Sequence, residues 1–152
     1  MIISIDPGLS GAVAVFSLAG ELNTVFDIPT SAKTSGKGNQ INAVLLAESV
    51  QQWARVTKAI VERVHAMPGQ GVTSMFGFGR SMGVIEGVLA AQNIPIDWIT
   101  PQKWKKIHGL IGKDKDASRT LVIEKYPEKY EWFKRKKDIG RADAVLIGLT
   151  MQ

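Results

Sequence analysis

The first thirty residues fall into short apolar runs broken by turn residues. MIISID and GAVAVFSL are separated by PGLSG, and LNTVFDI follows Gly20-Glu21, a pattern that predicts three β-strands in an antiparallel meander. Residues 29–41, PTSAKTSGKGNQI, are small and polar and predict a mobile loop. From Asn42, the spacing of Val44, Leu45, Ala47, Glu48 and Trp53 predicts a helix to about Lys58, and AIVERV then predicts a strand. A second helix is expected from Thr73 to about Gln92, followed by a strand over IPIDWI. Short helices are expected over Pro101 to His108 and over residues 116 to 126, and a last helix from Arg141 is built on ADAVLIGL. A meander followed by strands alternating with helices defines an α/β chain with a five-stranded mixed sheet, antiparallel then parallel, flanked by helices. At 152 residues the chain is expected to form one domain spanning 1–152, with no repeat or linker.

Charge adds what periodicity cannot. Residues 1–102 hold 6 Lys or Arg against 7 Asp or Glu, whereas residues 103–152 hold 13 against 7. The net charge of +5 therefore sits in the last third, where it would attract a polyanion such as nucleic acid with strong salt dependence. A basic solvated surface is the competing reading. The absence of cysteine removes disulfides, thiolate nucleophiles and cysteine-ligated zinc. No run approaches the roughly 20 apolar residues of a membrane span. The N-terminus meets an aspartate at once and lacks a signal-peptide pattern, so a cytoplasmic location is expected.

Four carboxylates stand where carboxylates need a reason. Asp6 ends the first strand beside the tight turn Pro7-Gly8 and Gly11, a loop that a phosphate or metal ion could approach; ordinary turn chemistry is the alternative. In AIVERV, alternation puts Ile60, Glu62 and Val64 on one face, so the acid shares an apolar face and calls for a compensating cation. If that strand lies beside the first, Glu62 stands next to Asp6, and two adjacent carboxylates repel unless a divalent cation neutralises them. Asp143 lies just inside the last helix, followed by the apolar Ala144, Val145, Leu146, Ile147 and Leu149, with Asp138 five residues earlier. Both could simply favour the helix dipole. Together with Asp6 and Glu62 they would make a two-metal site.

The order IDPGLSGAVAVF, VERV, RADAVLIGL resembles the RuvC-type Holliday junction resolvases of the RNase H-like superfamily, in particular the short phage versions, over nearly the whole chain. The resemblance implies an RNase H-like fold and paired, Mg²⁺-dependent endonuclease cleavage of four-way DNA junctions by a homodimer, with Mn²⁺ as a substitute ion. It assigns catalysis and metal binding to Asp6, Glu62 and Asp143. The bacterial family carries a further acid three residues before the last one, where this chain has Gly140, and Asp138 is the nearby substitute. With two Mg²⁺ ions held in this way, in-line attack by a bound water would leave a 5′-phosphate and a 3′-hydroxyl. A phage-encoded protein would act in the host cytoplasm.

Substrate binding is expected in the basic third. PQKWKKIHG supplies Lys103, Lys105 and Lys106 beside Trp104, and GKDKDASR supplies Lys113, Lys115 and Arg119. The family's functional lysines fall in these two stretches, with Lys105 and Lys115 as nearest counterparts. FKRKKD adds Lys136 and Lys137 next to the acids, suited to phosphate contact. His65 occupies the place where the bacterial family carries an aromatic that stacks on junction bases. Gly79, Gly83 and Gly87 recur every four residues in the second helix and imply close approach to the sheet or to a partner subunit, while Met67, Met75 and Phe76 are expected in core or interface packing.

Other classes share parts of this pattern. An RNase H-like nuclease of the pre-ribosomal-RNA processing type would keep the acids and cut RNA. A non-catalytic branched-DNA-binding protein would keep only the basic surface. An actin-like or sugar-kinase ATPase fragment is disfavoured by the lack of a second phosphate loop.

Overall fold

The computed structural model describes residues 1–53, 55–65 and 68–151. Strands β1 (Ile2–Asp6), β2 (Ala12–Phe16) and β3 (Leu22–Asp27) form the expected antiparallel meander. The segment expected to be a loop instead carries a small antiparallel hairpin, β4 (Thr30–Ala32) and β5 (Asn39–Ile41), with Thr30 opposite Ile41. Its ends are pinned by burial of Ile28 and Ile41, and the Asn42 amide donates to the Pro29 carbonyl at 2.9 Å. Two apolar anchors flanking a polar stretch are enough to fix the hairpin, because the polar residues between them can stay in water.

Helix α1 (Ala43–Gln51) starts at Asn42, whose side chain accepts from the Leu45 amide at 3.1 Å. It ends before the expected Lys58, and Arg55 takes a left-handed φ of 57°, which no helix interior accommodates. Strand β6 (Lys58–Glu62) then runs parallel beside β1, α2 (Val72–Ala91) crosses back, and β7 (Ile96–Ile99) lies parallel beside β6. The sheet order is β3-β2-β1-β6-β7. Helices α3 (Pro101–Ile107), α4 (Ala117–Lys125) and α5 (Ile139–Leu149) complete the chain, with short 3₁₀ turns over Pro127–Trp132 and Lys136–Asp138.

Both faces of the sheet are covered, which explains why AVAVF is apolar at every position. Val13 and Val15 join Ile3, Ile5, Ala59 and Val61 beneath α1 and α2, where Leu46, Val50, Ile85 and Leu89 are buried. Ala12, Ala14 and Phe16 face the other way, with Ile60, Trp104, Val122 and the Ala142–Ile147 stretch of α5. On that face Ser4 is fully buried, and its hydroxyl donates to the Ala144 carbonyl at 2.6 Å, tying α5 to β1.

The glycine stripe of α2 turns away from this core. Among the described residues, a Cβ built on Gly79, Gly83 or Gly87 meets nothing beyond its own helix within 4 Å, so the expected close approach to the sheet is not made; Ser81, Ile85, Val88 and Leu89 form the inward face instead. Met75 and Phe76 are 39% and 73% exposed and are not core residues, and Met67 lies outside the described residues. Among the described residues, no helix is long and apolar enough to cross a membrane.

Candidate active site

β1 and β6 end together. Their parallel register pairs Ile5 with Val61, so Asp6 and Glu62 are the next residues on adjacent strands. Parallel strands in register point equivalent residues to the same face, and with Ile5 and Val61 under α1 and α2, Asp6 and Glu62 turn toward α3 and α5. The turn after Asp6 is tight: Gly8 has φ of +133°, and a Cβ on Gly11 would strike the Asp6 carbonyl.

Asp143 reaches the same place from α5. Burial, then the charges of Asp143 and Glu62, push the Asp6 carboxyl well above the ordinary aspartate range. Asp143 is pushed up to about 6, by burial first and with Glu62 adding repulsion. Glu62 is raised by burial, against a hydrogen bond in which the Trp104 indole Nε1 donates to its Oε1 at 2.7 Å. The Lys105 ammonium opposes the rise at all three acids. The Ser118 hydroxyl lies near enough to Asp143 to favour its ionised form, yet Ser118 Oγ and Asp143 Oδ1 are both buried without a completed hydrogen bond. Mutual repulsion, desolvation and an unpartnered carboxylate oxygen are the electrostatics of a site that a cation would relieve.

Among the described residues, no three or more His, Cys, Asp or Glu side chains are placed to hold a metal ion as they stand. Mg²⁺ seldom uses such a cage: one or two carboxylates hold it, and waters and substrate phosphate supply the other oxygens. The donor chemistry here, carboxylate oxygen only and one buried oxygen without a partner, fits a hard divalent cation of that kind.

Asp138 is not in the electrostatic group formed by the other three acids. It is 1% exposed and takes three hydrogen bonds from the Arg135 guanidinium, the shortest at 2.7 Å, and one from the Arg135 amide at 2.9 Å; Arg141 lies 4.0 Å away. Burial disfavours its charge, but the hydrogen bonds and charge of Arg135, with Arg141, outweigh burial and lower its pKa. Gly140, where the resemblance leads us to expect an acid, abuts the site directly. A Cβ there would lie 3.3 Å from Asp6 Oδ2 and would collide with the Ser10 carbonyl, so no side chain fits.

The lysines divide by location. Lys105, Lys113 and Lys115 line one cleft of about 320 Å³ with Trp104, Ser118 and Asp143, whereas Lys103 and Lys106 lie exposed on α3. Arg119 is occupied within the fold: its guanidinium pairs with Asp116 at 2.6 and 2.7 Å and donates to the Phe133 carbonyl at 3.1 Å. Lys136 and Lys137 are exposed beside the start of α5. His65 is exposed in a separate groove of about 420 Å³, lined by Arg63, Trp98 and α2 residues including Phe78 and Met82.

Two contributors escaped the sequence. Ser118 carries no signal that separates it from any other helical serine. Trp104 did carry one: a buried indole N–H needs an acceptor, and an acid on an apolar face needs a donor.

A meander followed by two parallel strands, with α5 packed on β1 and β2, is the five-stranded mixed sheet of the RNase H-like fold. The fold and one stretch of sequence are similar to proteins named as Holliday junction resolvases or RuvC. The chain is similar to a structure of Thermus thermophilus RuvC in complex with Holliday junction substrate, with a TM-score of 0.60 and 16% identity over 98% of this chain and 90% of that one. A second Thermus thermophilus RuvC structure gives a TM-score of 0.53 and 14% identity, covering 98% and 91%. In sequence, 88 residues, 57% of this chain, are 34% identical to a chloroplastic Holliday junction resolvase of Chlamydomonas reinhardtii. That match spans only 10% of the relative's length. No family model matches the chain.

Proposed function

We propose that the protein is a structure-selective endonuclease that resolves four-way DNA junctions by paired, divalent-metal-dependent phosphodiester hydrolysis. The observation that carries this reading is the meeting of Asp6 and Glu62 at the ends of adjacent parallel strands, with Asp143 brought to them by α5. Likeness to proteins named as Holliday junction resolvases supports the substrate class.

Asp6, Glu62 and Asp143 would hold Mg²⁺ or Mn²⁺, which supplies an activated water and charge neutralisation at the scissile phosphate. Lys105 tempers the repulsion among the acids and offers a cation to the phosphate they face. Lys113 and Lys115 extend that positive wall along the cleft, and Lys103, Lys106, Lys136 and Lys137 supply exposed charge for more distant phosphates. Asp138 serves the start of α5, holding Arg135 and Arg141 where the helix meets the sheet. Two symmetric cuts require two sites, and the bare outer face of α2 is the surface we assign to a homodimer. The expected products carry a 5′-phosphate and a 3′-hydroxyl.

The test compares cleavage of a labelled four-way DNA junction, a linear duplex and RNA at one salt concentration, with and without Mg²⁺. Paired, Mg²⁺-dependent nicks in the junction alone support the reading. Preferential cutting of RNA would favour the RNA-processing class, and tight junction binding with no cutting would favour a binding module.

A further inference from the structure

We propose that Trp104 is a positioning residue for the active site, orienting Glu62 through its indole N–H and Lys105 through its ring face. The inference rests on the nuclease reading above and goes beyond it, because it assigns Trp104 a role exerted through Glu62 and Lys105.

The geometry makes one ring serve two charged groups. Trp104 is 1% exposed on α3, and its Nε1 donates to Glu62 Oε1 at 2.7 Å. Lys105 Nζ lies 5.3 Å from the centroid of the same indole, within cation–π range. Glu62 is only 9% exposed and sits on the sheet face that also buries Ile60 and Ile99. A carboxylate in such surroundings has few directions in which to find a donor. An indole N–H donates and cannot accept, so it engages the acid in one orientation, and it takes only one of about four lone-pair sites on the carboxylate. The others stay open to a cation. Partners of this kind set the direction of a metal-binding oxygen, and their loss typically weakens metal binding 10–100-fold.

A ring that merely filled the core would behave differently. Phenylalanine keeps most of the apolar volume and an aromatic face for Lys105 but removes the N–H. A packing role therefore predicts that Trp104→Phe leaves metal affinity alone, and a positioning role predicts that it does not.

The chain contains four tryptophans, so uniformly ¹⁵N-labelled protein gives four indole N–H resonances at most, and Trp104 can be assigned through its through-space contacts in the wild type. Titration with Mg²⁺ should shift the Trp104 resonance, and Glu62→Gln should abolish that shift. Calorimetry with Mn²⁺ should show binding to Trp104→Phe weakened about tenfold or more relative to wild type. Wild type that binds Mn²⁺ and cuts junctions, with an indole resonance indifferent to Mg²⁺, would overturn this inference alone. So would a folded Trp104→Phe of wild-type Mn²⁺ affinity. Wild type that neither binds Mn²⁺ nor cuts would overturn the nuclease reading and this inference with it. The wild-type titration decides the matter even where the phenylalanine variant does not fold.

Discussion

Asp6 and Glu62 occupy equivalent places on neighbouring parallel strands, each the residue that follows the Ile5–Val61 pair. Adjacent strands in a sheet are about 4.8 Å apart, so two carboxylates in this relation repel in the absence of a cation. Burial compounds the repulsion, and Asp143 adds a third charge from α5.

Asp6→Asn should remove one charge from this group and the metal with it. Junction cleavage is expected to fall at least about 100-fold, the upper end for losing even an outer partner of a metal. Junction affinity should stay intact or rise. Metal-free protein should gain stability, because a repelling buried charge is gone, and about 1 kcal/mol of gain appears as a melting temperature higher by roughly 2–4 °C. Loss of folding would instead mean that Asp6 is there for the turn.

Asp138 gives the opposite stability sign. Its carboxyl is held below the ordinary aspartate range in the fold, by the hydrogen bonds and charge of Arg135 and by Arg141, against the cost of burial. It therefore contributes stability that is present above the unfolded aspartate pKa of about 3.9 and is lost as pH falls through the lower folded value. Asp138→Asn should lower stability by roughly 1–2 kcal/mol at pH 7, a modest figure because the Arg135 side chain is 46% exposed and can return to water. The gap to wild type should narrow in thermal melts as pH falls below the unfolded aspartate pKa of about 3.9. Cleavage should stay within about tenfold of wild type, and a larger loss would place Asp138 among the metal-holding acids.

Gly140 should be irreplaceable despite standing where the resemblance leads us to expect an acid. Gly140→Ala puts a Cβ against the Ser10 carbonyl and should cost about 1–3 kcal/mol, read from denaturant unfolding. Gly140→Asp should lose activity rather than gain a ligand. A stable and more active Gly140→Asp would show that the loop yields.

Lys105→Ala and Lys115→Ala should weaken junction binding and reduce the slope of log K against log salt by about one each. An unchanged slope would count against direct phosphate contact. Lys105→Ala should in addition lower metal-free stability, because it removes the cation that offsets Asp6, Glu62 and Asp143.

Gly83→Arg should separate the dimer from the fold. Among the described residues nothing outside the helix's own backbone lies within 4 Å of a Cβ at that position, so the monomer should fold normally, while sedimentation should shift from dimer to monomer. A variant that stays dimeric would move the interface elsewhere.

What was legible in the sequence is what depends on local pattern. AVAVF read as a strand and is buried along its whole length, and AIVERV exposed its oddity, an acid on an apolar face, which the structure sets beside Asp6. The relationships that escaped are those made by distant chain segments or by the absence of atoms. Trp104 and Glu62 are 42 residues apart, so their hydrogen bond has no local signature. Gly140 looked like a missing acid, and only the packing of α5 on the Ser10 loop shows why a side chain is not accommodated. The hairpin β4–β5 was hidden because its polar residues resemble a loop and its anchoring isoleucines lie at its ends. Asp138 was read with the acids from proximity in sequence, whereas Arg135 and Arg141, each three residues away, claim its carboxylate.

The most direct measurement is an anomalous-scattering map of crystals soaked in Mn²⁺. Density bonded to a carboxylate oxygen of Asp6 and shared with Glu62 or Asp143 is the expected result. Ordered side chains at all three positions with Mn²⁺ bound only elsewhere would contradict it.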